Sequence, residues 1–259
     1  MDLSEADLVG ADLSEAVVDR AHLNNVNLTD ANLQRASLRE VDLVGANLTS
    51  ANLEAANLRS AKLMDTQLDG ALLEGANLTA ANFTKAILSN ARLSGADLTG
   101  AKLENTDLSN ADLSSANLFR SSLLGARLGG VNLREANVTL ADLRNADLSN
   151  VNLGNANLRD AVLRNAKLAG ANLSGVNLAG AKLTGAELVE ADLTGGRLEG
   201  TNLYGANLIG ANLSGSSLVN ANLREANLTD ANLDDADLSG ANLYGATMPD
   251  GTIHRDWPN

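Results

Sequence analysis

Cysteine is absent from this chain of 259 residues, and proline, histidine and the aromatic residues are scarce. Without cysteine the chain can form neither disulfides nor thiolate metal sites. Only two histidines are present, His22 and His254, so a histidine-based catalytic centre has little to build on. Aromatic residues make up 2% of the chain. An irregular core needs side chains of varied shape, so this scarcity favours a core of repeated, identical layers.

Long apolar runs and a surplus of basic residues are also missing. No stretch approaches the roughly 20 apolar residues that a membrane span needs, and no basic and apolar leader precedes Asp2. We therefore expect a soluble, cytoplasmic protein. The 19 basic and 32 acidic residues give a formal net charge of −13. This charge argues against direct binding to nucleic acid or to anionic membranes.

A five-residue repeat fills the chain instead, most clearly at residues 166–185, which read AKLAG ANLSG VNLAG AKLTG. From residue 3 to residue 243 its central position is Leu in 46 of 49 cases, and the exceptions are Val18, Phe83 and Val138. The first position of the repeat, counted from residue 6 to residue 246, is Ala in 38 of 49 cases. Two apolar positions with one polar residue between them indicate an extended segment of about three residues, because alternate side chains then share a face.

The last position of the repeat predicts a turn. Among its 49 residues are 19 Gly, nine Asn and five Asp, the types that tolerate a positive φ. A segment this short cannot bury its own leucine, so successive coils must stack in parallel at a spacing of about 4.8 Å. The leucines then form the axis of a solid prism. We predict that Leu168, Leu173, Leu178, Leu183 and Phe83 belong to this core.

The unit A(D/N)LXX, which recurs over residues 2–246, resembles the pentapeptide-repeat family. This resemblance implies an all-β fold, a right-handed quadrilateral parallel β-helix, or solenoid, with four pentapeptides in each coil. At 20 residues per coil, about 12 to 13 four-sided coils would form a rod on the order of 60 Å long.

The ends of the chain differ from its middle. The sequence predicts a repeat domain over residues 1–246 and a capping segment over 247–259, in which the repeat breaks down. Ile253 and Trp257 are expected to cover the last leucine layer, and two prolines to end the strand pairing. The first coil has no comparable cap, so we expect it to offer an open edge for end-to-end self-association.

Outward residues spaced by 20 form columns on the geometry that the family implies. One column contains, in order, Leu124, Arg144, Arg164, Thr184, Tyr204, Arg224 and Tyr244. Within it, Tyr204, Arg224 and Tyr244 are predicted to stack as a cation–π ladder. This ladder, with Leu124 and Phe119, is the candidate interaction stripe. Two interpretations stay open, namely binding of a partner and local stabilisation of adjacent coils.

Carboxylate pairs are common because Asp or Asn often precedes the central leucine, as at Asp7, Asp12 and Asn47. Metal binding is one interpretation, but we favour side chains that hydrogen-bond along the sheet. A smooth prism offers no cleft in which two carboxylates could acquire separate acid and base roles. We therefore expect no enzyme activity, no cofactor and no metal site.

The sequence favours a rigid, non-enzymatic scaffold or protein-interaction module whose protein partner is unidentified. The family resemblance implies an alternative, an acidic DNA mimic that regulates a type II topoisomerase such as DNA gyrase. A duplex of about 60 Å carries roughly 35 charges, well above the charge of this chain. In addition, residues 121–180 have a net charge of +2, between acidic regions of −6 and −2 on one side and −7 on the other. This basic break argues against a continuous mimic.

Overall fold

The structure, a computed structural model, describes residues 1–256 and is built from isolated parallel β-bridges. Within that range it contains neither helices nor continuous strands, since each pentapeptide contributes one bridge residue. Every bridge residue from Asp2 to Asn227 pairs in parallel with the residue 20 positions later. Four pentapeptides therefore make one coil. The predicted three-residue extended segments contain only one bridge residue each, because the last two residues of every pentapeptide form a turn.

The repeat gives a simple numbering. Within each pentapeptide we number the positions 1 to 5, so that Ala6 is at position 1 and Gly10 at position 5. Coil 1 comprises residues 1–20, coil 2 residues 21–40, and so on. The four pentapeptides of a coil lie on faces 1 to 4 in chain order.

Backbone hydrogen bonds connect each coil to its neighbours at three positions. The position 2 N–H donates to the position 1 carbonyl of the preceding coil, as from Asn27 to Ala6 at 2.9 Å. The position 3 and position 5 N–H groups donate to carbonyls of the following coil, as from Leu3 to His22 at 2.8 Å. These bonds run along the rod at every face, so each inner coil is held from both sides.

A four-residue turn closes every corner. The position 1 N–H donates to the position 3 carbonyl of the preceding pentapeptide, as from Ala6 to Leu3 at 3.1 Å. All 49 residues at position 5 have a positive φ, and for the residues other than glycine φ lies between 53° and 62°. The position 4 residues do not share this conformation, which is the pattern of a type II turn. The corner geometry is therefore constant even where Glu, Arg, Ala or Leu replaces the expected turn residue.

The position 4 N–H is satisfied by a side chain. Where position 2 is Asp or Asn, its Oδ1 accepts this N–H, as from Thr49 to Asn47 and from Ser114 to Asp112, both at 3.0 Å. A hydrogen bond within the pentapeptide is therefore the recurrent role of these residues. The predicted bonds along the sheet occur as well, for example from Asn172 Nδ2 to Asn152 Oδ1 at 3.2 Å.

The leucine axis is shielded from water from Leu23 in coil 2 to Leu228 in coil 12. Leu168, Leu173, Leu178, Leu183 and Phe83 are at most 1% exposed. In coil 1 the leucines and Val18 are only partly buried, and so are the last three leucines, Leu233, Leu238 and Leu243. A central residue thus becomes fully buried only when coils lie on both sides of it.

Buried hydroxyl groups at position 1 keep their hydrogen bonds. Thr66, Thr106 and Thr201 are 0% exposed. Each donates its hydroxyl to a backbone carbonyl, as from Thr66 Oγ1 to the Leu43 carbonyl at 2.9 Å. These polar residues therefore replace alanine without leaving an unpaired group in the core.

Eight glycines at position 5 lie directly above an Asn or Asp of the preceding coil. A methyl carbon at Gly170 would stand 2.7 Å from Asn150 Oδ1, which is closer than Cβ atoms approach oxygen. The side-chain oxygen below therefore fills the space that a Cβ would need. The glycines of this set are Gly45, Gly125, Gly130, Gly170, Gly175, Gly180, Gly185 and Gly240.

The chain folds back on itself after the last coil. Thr247 and Ile253 form an antiparallel bridge, and the Gly245 N–H donates to the His254 carbonyl at 2.8 Å. Met248 packs partly buried against the core, whereas Ile253 is 50% exposed. Ile253 therefore covers less of the last layer than the sequence predicts, because its bridge to Thr247 leaves half of its surface in water. The other predicted cap residues, Trp257 and Pro258, lie outside the described residues.

Candidate interaction surface

Three outward side chains stack at position 4 of face 1, in coils 11 to 13. Arg224 Cζ lies 6.0 Å from the ring centroid of Tyr204 and 5.9 Å from that of Tyr244. The guanidinium is therefore held between two aromatic rings that remain 36% and 40% exposed. We call Tyr204, Arg224 and Tyr244 the tyrosine column. Its rings are presented by a hydrogen-bonded backbone rather than by a loop.

Glu225 fixes the first ring of the tyrosine column. The Tyr204 hydroxyl donates to Glu225 Oε2 at 2.6 Å. This hydrogen bond, with smaller contributions from desolvation and from the negative charge, raises the pKa of Tyr204 above its usual 10.0. The tyrosine therefore stays neutral at physiological pH, and its hydroxyl donates to the carboxylate of Glu225.

The other predicted members of the stripe lie apart from the tyrosine column. Leu124 is in the same position 4 column as Tyr204 but four coils earlier, which is about 19 Å along the rod. It is partly buried. Phe119 lies on face 4, where Arg120 Cζ stands 5.1 Å from its ring centroid. The five predicted residues therefore form a stacked column and two separate positions rather than one patch.

In the described residues six ion pairs connect neighbouring coils. Arg20 and Glu40 are joined at 3.0 Å, and Lys62 and Asp42 at 3.1 Å. The hydrogen bond from Arg20 lowers the pKa of Glu40. Because most of these side chains are exposed, each pair stabilises the rod only weakly.

No metal centre or histidine site emerges in the described part of the chain. Across residues 1–256 no group of three or more His, Cys, Asp or Glu side chains is placed to hold a metal ion. His22 is an exposed bridge residue in coil 2, and His254 is partly buried in the segment that follows the last coil. Among the residues described, no helix has the length and apolar character needed to span a bilayer.

The pentapeptide-repeats family model matches overlapping segments that together run from residue 2 to residue 245. The chain therefore belongs to the pentapeptide-repeat family. No curated protein gives a significant match to the sequence.

Solved structures of pentapeptide-repeat proteins resemble the chain to different extents. HetL, a protein of the cyanobacterium Nostoc sp. involved in the regulation of heterocyst differentiation, is 38% identical, with 93% of this chain and 92% of HetL covered and a TM-score of 0.33. Rfr23 from the cyanobacterium Cyanothece is 47% identical over 33% of this chain and 58% of its own, with a TM-score of 0.33. QnrB1, a plasmid-mediated fluoroquinolone resistance protein, is 22% identical over 63% of this chain and 84% of its own, with a TM-score of 0.58.

Two features of the surface escaped the sequence analysis, although both are visible at a spacing near 20 residues. Glu225 follows Tyr204 by 21 residues, which places its carboxylate at the same corner in the next coil. At position 5, an Asn or Asp that is followed 20 residues later by Gly identifies a side chain that lies directly below a glycine. A search for residue pairs at these spacings would have found both.

Proposed function

We propose that this protein is a rigid, non-enzymatic interaction scaffold and that the tyrosine column binds its protein partner. The observation that carries this proposal is the stacking of Arg224 between two partly exposed rings. Tyrosine and arginine are enriched among the residues that dominate binding energy at protein interfaces. Because the backbone beneath them is hydrogen-bonded to the neighbouring coils and, at Gly245, to the terminal segment, ordering these side chains on binding costs little entropy.

We also propose that the rod is right-handed and four-sided, as the family resemblance implies. The bridges at 20-residue spacing support four pentapeptides per coil. We also propose residues 1–246 as one repeat unit and 247–259 as its cap. The bridges of Thr247 support a boundary near this residue, since Thr247 is the last residue in the parallel pairing, with Asn227, and also forms the antiparallel bridge with Ile253.

Capture of partners on the tagged full-length chain tests the tyrosine column. The double variant Tyr204→Ser and Tyr244→Ser should lose the captured partner, with an affinity about tenfold lower or weaker still. A matched control is Val17→Ser with Ile87→Ser, which removes two exposed apolar side chains from faces 4 and 2. A profile that is unchanged in the tyrosine variant, or equally changed in the control, would contradict the proposal.

The DNA-mimic alternative draws its support from the net charge of −13. In that case the partner would be a type II topoisomerase and the acidic faces would contact its DNA-binding surface. A DNA gyrase supercoiling assay with added protein separates the two functions. Inhibition at micromolar concentrations would favour the alternative, and full activity would exclude it.

For the first coil we propose end-to-end association only where salt screens its charge. Residues 1–20 carry six carboxylates and one arginine, so two such coils repel each other at low ionic strength. Sedimentation analysis should therefore show larger species at high salt than at low salt. Species of the same size at both salt concentrations would contradict this part of the proposal.

A further inference from the structure

The faces of coils 8 to 10 differ in charge. In residues 141–200, faces 1 and 4 carry five cations and three carboxylates, whereas faces 2 and 3 carry one cation and four carboxylates. The five cations lie on the two faces that meet at one edge, with Arg159 at this edge and Arg144 and Arg164 at the far corner of face 1, because position 4 belongs to the turn that leads to the next face. We call them the basic corner, and they are Arg144, Arg159, Arg164, Lys182 and Arg197.

A depression lies on the face 4 side of the basic corner. Its volume is about 480 Å³, and Ala179 and Gly180 of coil 9 line it between Arg159 of coil 8 and Arg197 of coil 10. The two arginines are therefore two coils apart, or about 10 Å along the rod. Gly180 has no room for a Cβ because the carboxylate of Asp160, in the preceding coil, lies directly below it. The small side chain of Ala179 therefore leaves the depression open between the two guanidinium groups, and the carboxylates of Asp160 and Glu199 line it as well.

A second depression lies on the face 1 side. Its volume is about 280 Å³, and its basic lining residues are Arg144, Arg164 and Lys182. Lys182 follows Gly180, which lines the first depression, by only two residues. One ligand that crosses the edge can therefore reach both depressions.

Internal ion pairs leave a positive surplus at the basic corner. Each of its three carboxylates pairs with an arginine of its own pentapeptide, namely Asp142 with Arg144 at 2.6 Å, Asp160 with Arg159 at 3.4 Å, and Glu199 with Arg197 at 3.8 Å. The pair at 3.8 Å is too long for a hydrogen bond. In residues 1–256 neither Arg164 nor Lys182 has a salt-bridge partner, so two cations remain uncompensated.

We propose that the basic corner binds an extended acidic segment of a partner protein. One carboxylate would sit over Ala179 between Arg159 and Arg197, and another would contact Arg164 and Lys182 across the edge. An extended chain rises about 3.3 Å per residue, so carboxylates a few residues apart span this distance. This inference rests on the interaction-module function proposed above and gives that function a second surface with its own ligand chemistry.

The charge around the basic corner selects a short acidic peptide over nucleic acid. Coils 8 to 10 are about 15 Å long, whereas the two remaining faces of these coils and both ends of the chain are acidic. A duplex carries one charge per about 1.7 Å and would extend over those acidic regions, which repel it. A peptide with a few carboxylates ends within the basic surface.

Fluorescence anisotropy with the full-length protein tests the proposal directly. The probe is a fluorescein-labelled glutamate peptide of about four residues, which spans about 13 Å when extended and so ends within the basic surface. It should bind saturably at low salt and dissociate at high salt, whereas a glutamine peptide of equal length should not bind. A single-stranded oligonucleotide of similar length should bind more weakly than the glutamate peptide.

Charge-matched variants locate the site. Arg164→Gln with Lys182→Gln should weaken peptide binding about tenfold or more. Lys85→Gln with Lys102→Gln removes the same charge from exposed lysines of face 1 in coils 5 and 6, and should change the affinity less than about twofold. Ala179→Glu places a carboxylate in the first depression and should abolish binding, with circular dichroism to confirm that the rod remains folded.

Three outcomes would overturn the proposal: no saturable binding of the glutamate peptide, equal weakening in the lysine control, or tighter binding of the oligonucleotide. The tyrosine variant separates this result from the proposed function. If the peptide fails to bind while partner capture still depends on Tyr204 and Tyr244, only the basic corner is wrong.

Discussion

The first coil and the segment 166–185 share one backbone geometry but differ in burial and in charge. Leu8 in the first coil is only partly buried, whereas Leu173 is 1% exposed. Residues 1–20 carry six carboxylates, and residues 166–185 carry two lysines and no acid. The same pentapeptide pattern therefore gives a dry core or a half-open layer according to the coils around it, as expected for a structure in which each repeat contacts only its neighbours.

A charge in the leucine axis should show the largest difference between the two regions. Leu173→Asp buries an unpaired carboxylate and should lower the free energy of unfolding by about 3–5 kcal/mol. Leu8→Asp places the same group at a partly hydrated position and should cost about 1 kcal/mol. Urea unfolding followed by circular dichroism measures both. Equal losses would show that coil 1 is packed as tightly as the middle.

The glycine turns of coils 9 and 10 allow a finer comparison. Gly195 has a φ of 63° and an open surrounding, so Gly195→Ala should cost about 1 kcal/mol through the backbone alone. Gly175→Ala should cost about 1 kcal/mol more, because the methyl group would meet Asn155 Oδ1. Adding Asn155→Ala should remove this difference in thermal unfolding. A difference that persists would place the strain elsewhere.

Turns without glycine in the early coils should respond in the opposite direction. Ala55 has a φ of 53°, so Ala55→Gly should stabilise the rod by about 0.5–1 kcal/mol. Ala179→Gly, at position 4 in coil 9, should instead destabilise the rod by about 0.5–1 kcal/mol. Glycine raises the entropy of the unfolded chain, and at this position it relieves no backbone strain in return. Melting temperatures of the two variants should therefore move apart, and shifts of the same sign would refute this assignment.

Acid should loosen the first coil before it affects residues 166–185. The hydroxyl and N–H groups of Ser4 and Ser14 hydrogen-bond to Asp2 and Asp12, and these bonds lower the pKa of both carboxyls below 3.8. Their contribution is complete above the unfolded pKa and is lost as the pH falls through the lower native pKa. Hydrogen exchange should show protection in coil 1 falling below about pH 4, while residues 166–185, which lack acids, keep theirs. Parallel losses in both regions would contradict this.

The sequence defines the repeating core well because almost every residue obeys one spatial rule. The alternation of Ala and Leu predicts the buried axis, and the turn residues predict a positive φ at position 5. The period of five alone does not predict the 20-residue coil, which came from the family resemblance. With that coil length, the contact of Arg224 with Tyr204 and Tyr244 could be predicted from spacing alone.

Two features, the partner of the position 4 N–H and the depression over Ala179, become visible only in the structure. The position 4 N–H takes no part in the backbone hydrogen bonds between coils, and only the structure shows that Asn47 or Asp112 satisfies it from position 2. The charges along the sequence show the basic break in residues 121–180 but do not locate a site within it. The depression over Ala179 depends on which side chains the coils above and below it carry, and a count of charges along the chain does not show this.

Because the coils stack uniformly, the rod fixes the distances between residues on its surface. Any two residues in one column are separated by a whole number of steps of about 4.8 Å, whatever their identity. Arg164 and Tyr204 share a column and lie two steps apart, so the basic corner and the tyrosine column are held at a fixed offset of about 10 Å along the rod. A partner that contacts both surfaces must match this length, and inserting or deleting 20 residues between them would shift the offset by one step while keeping both on the same faces.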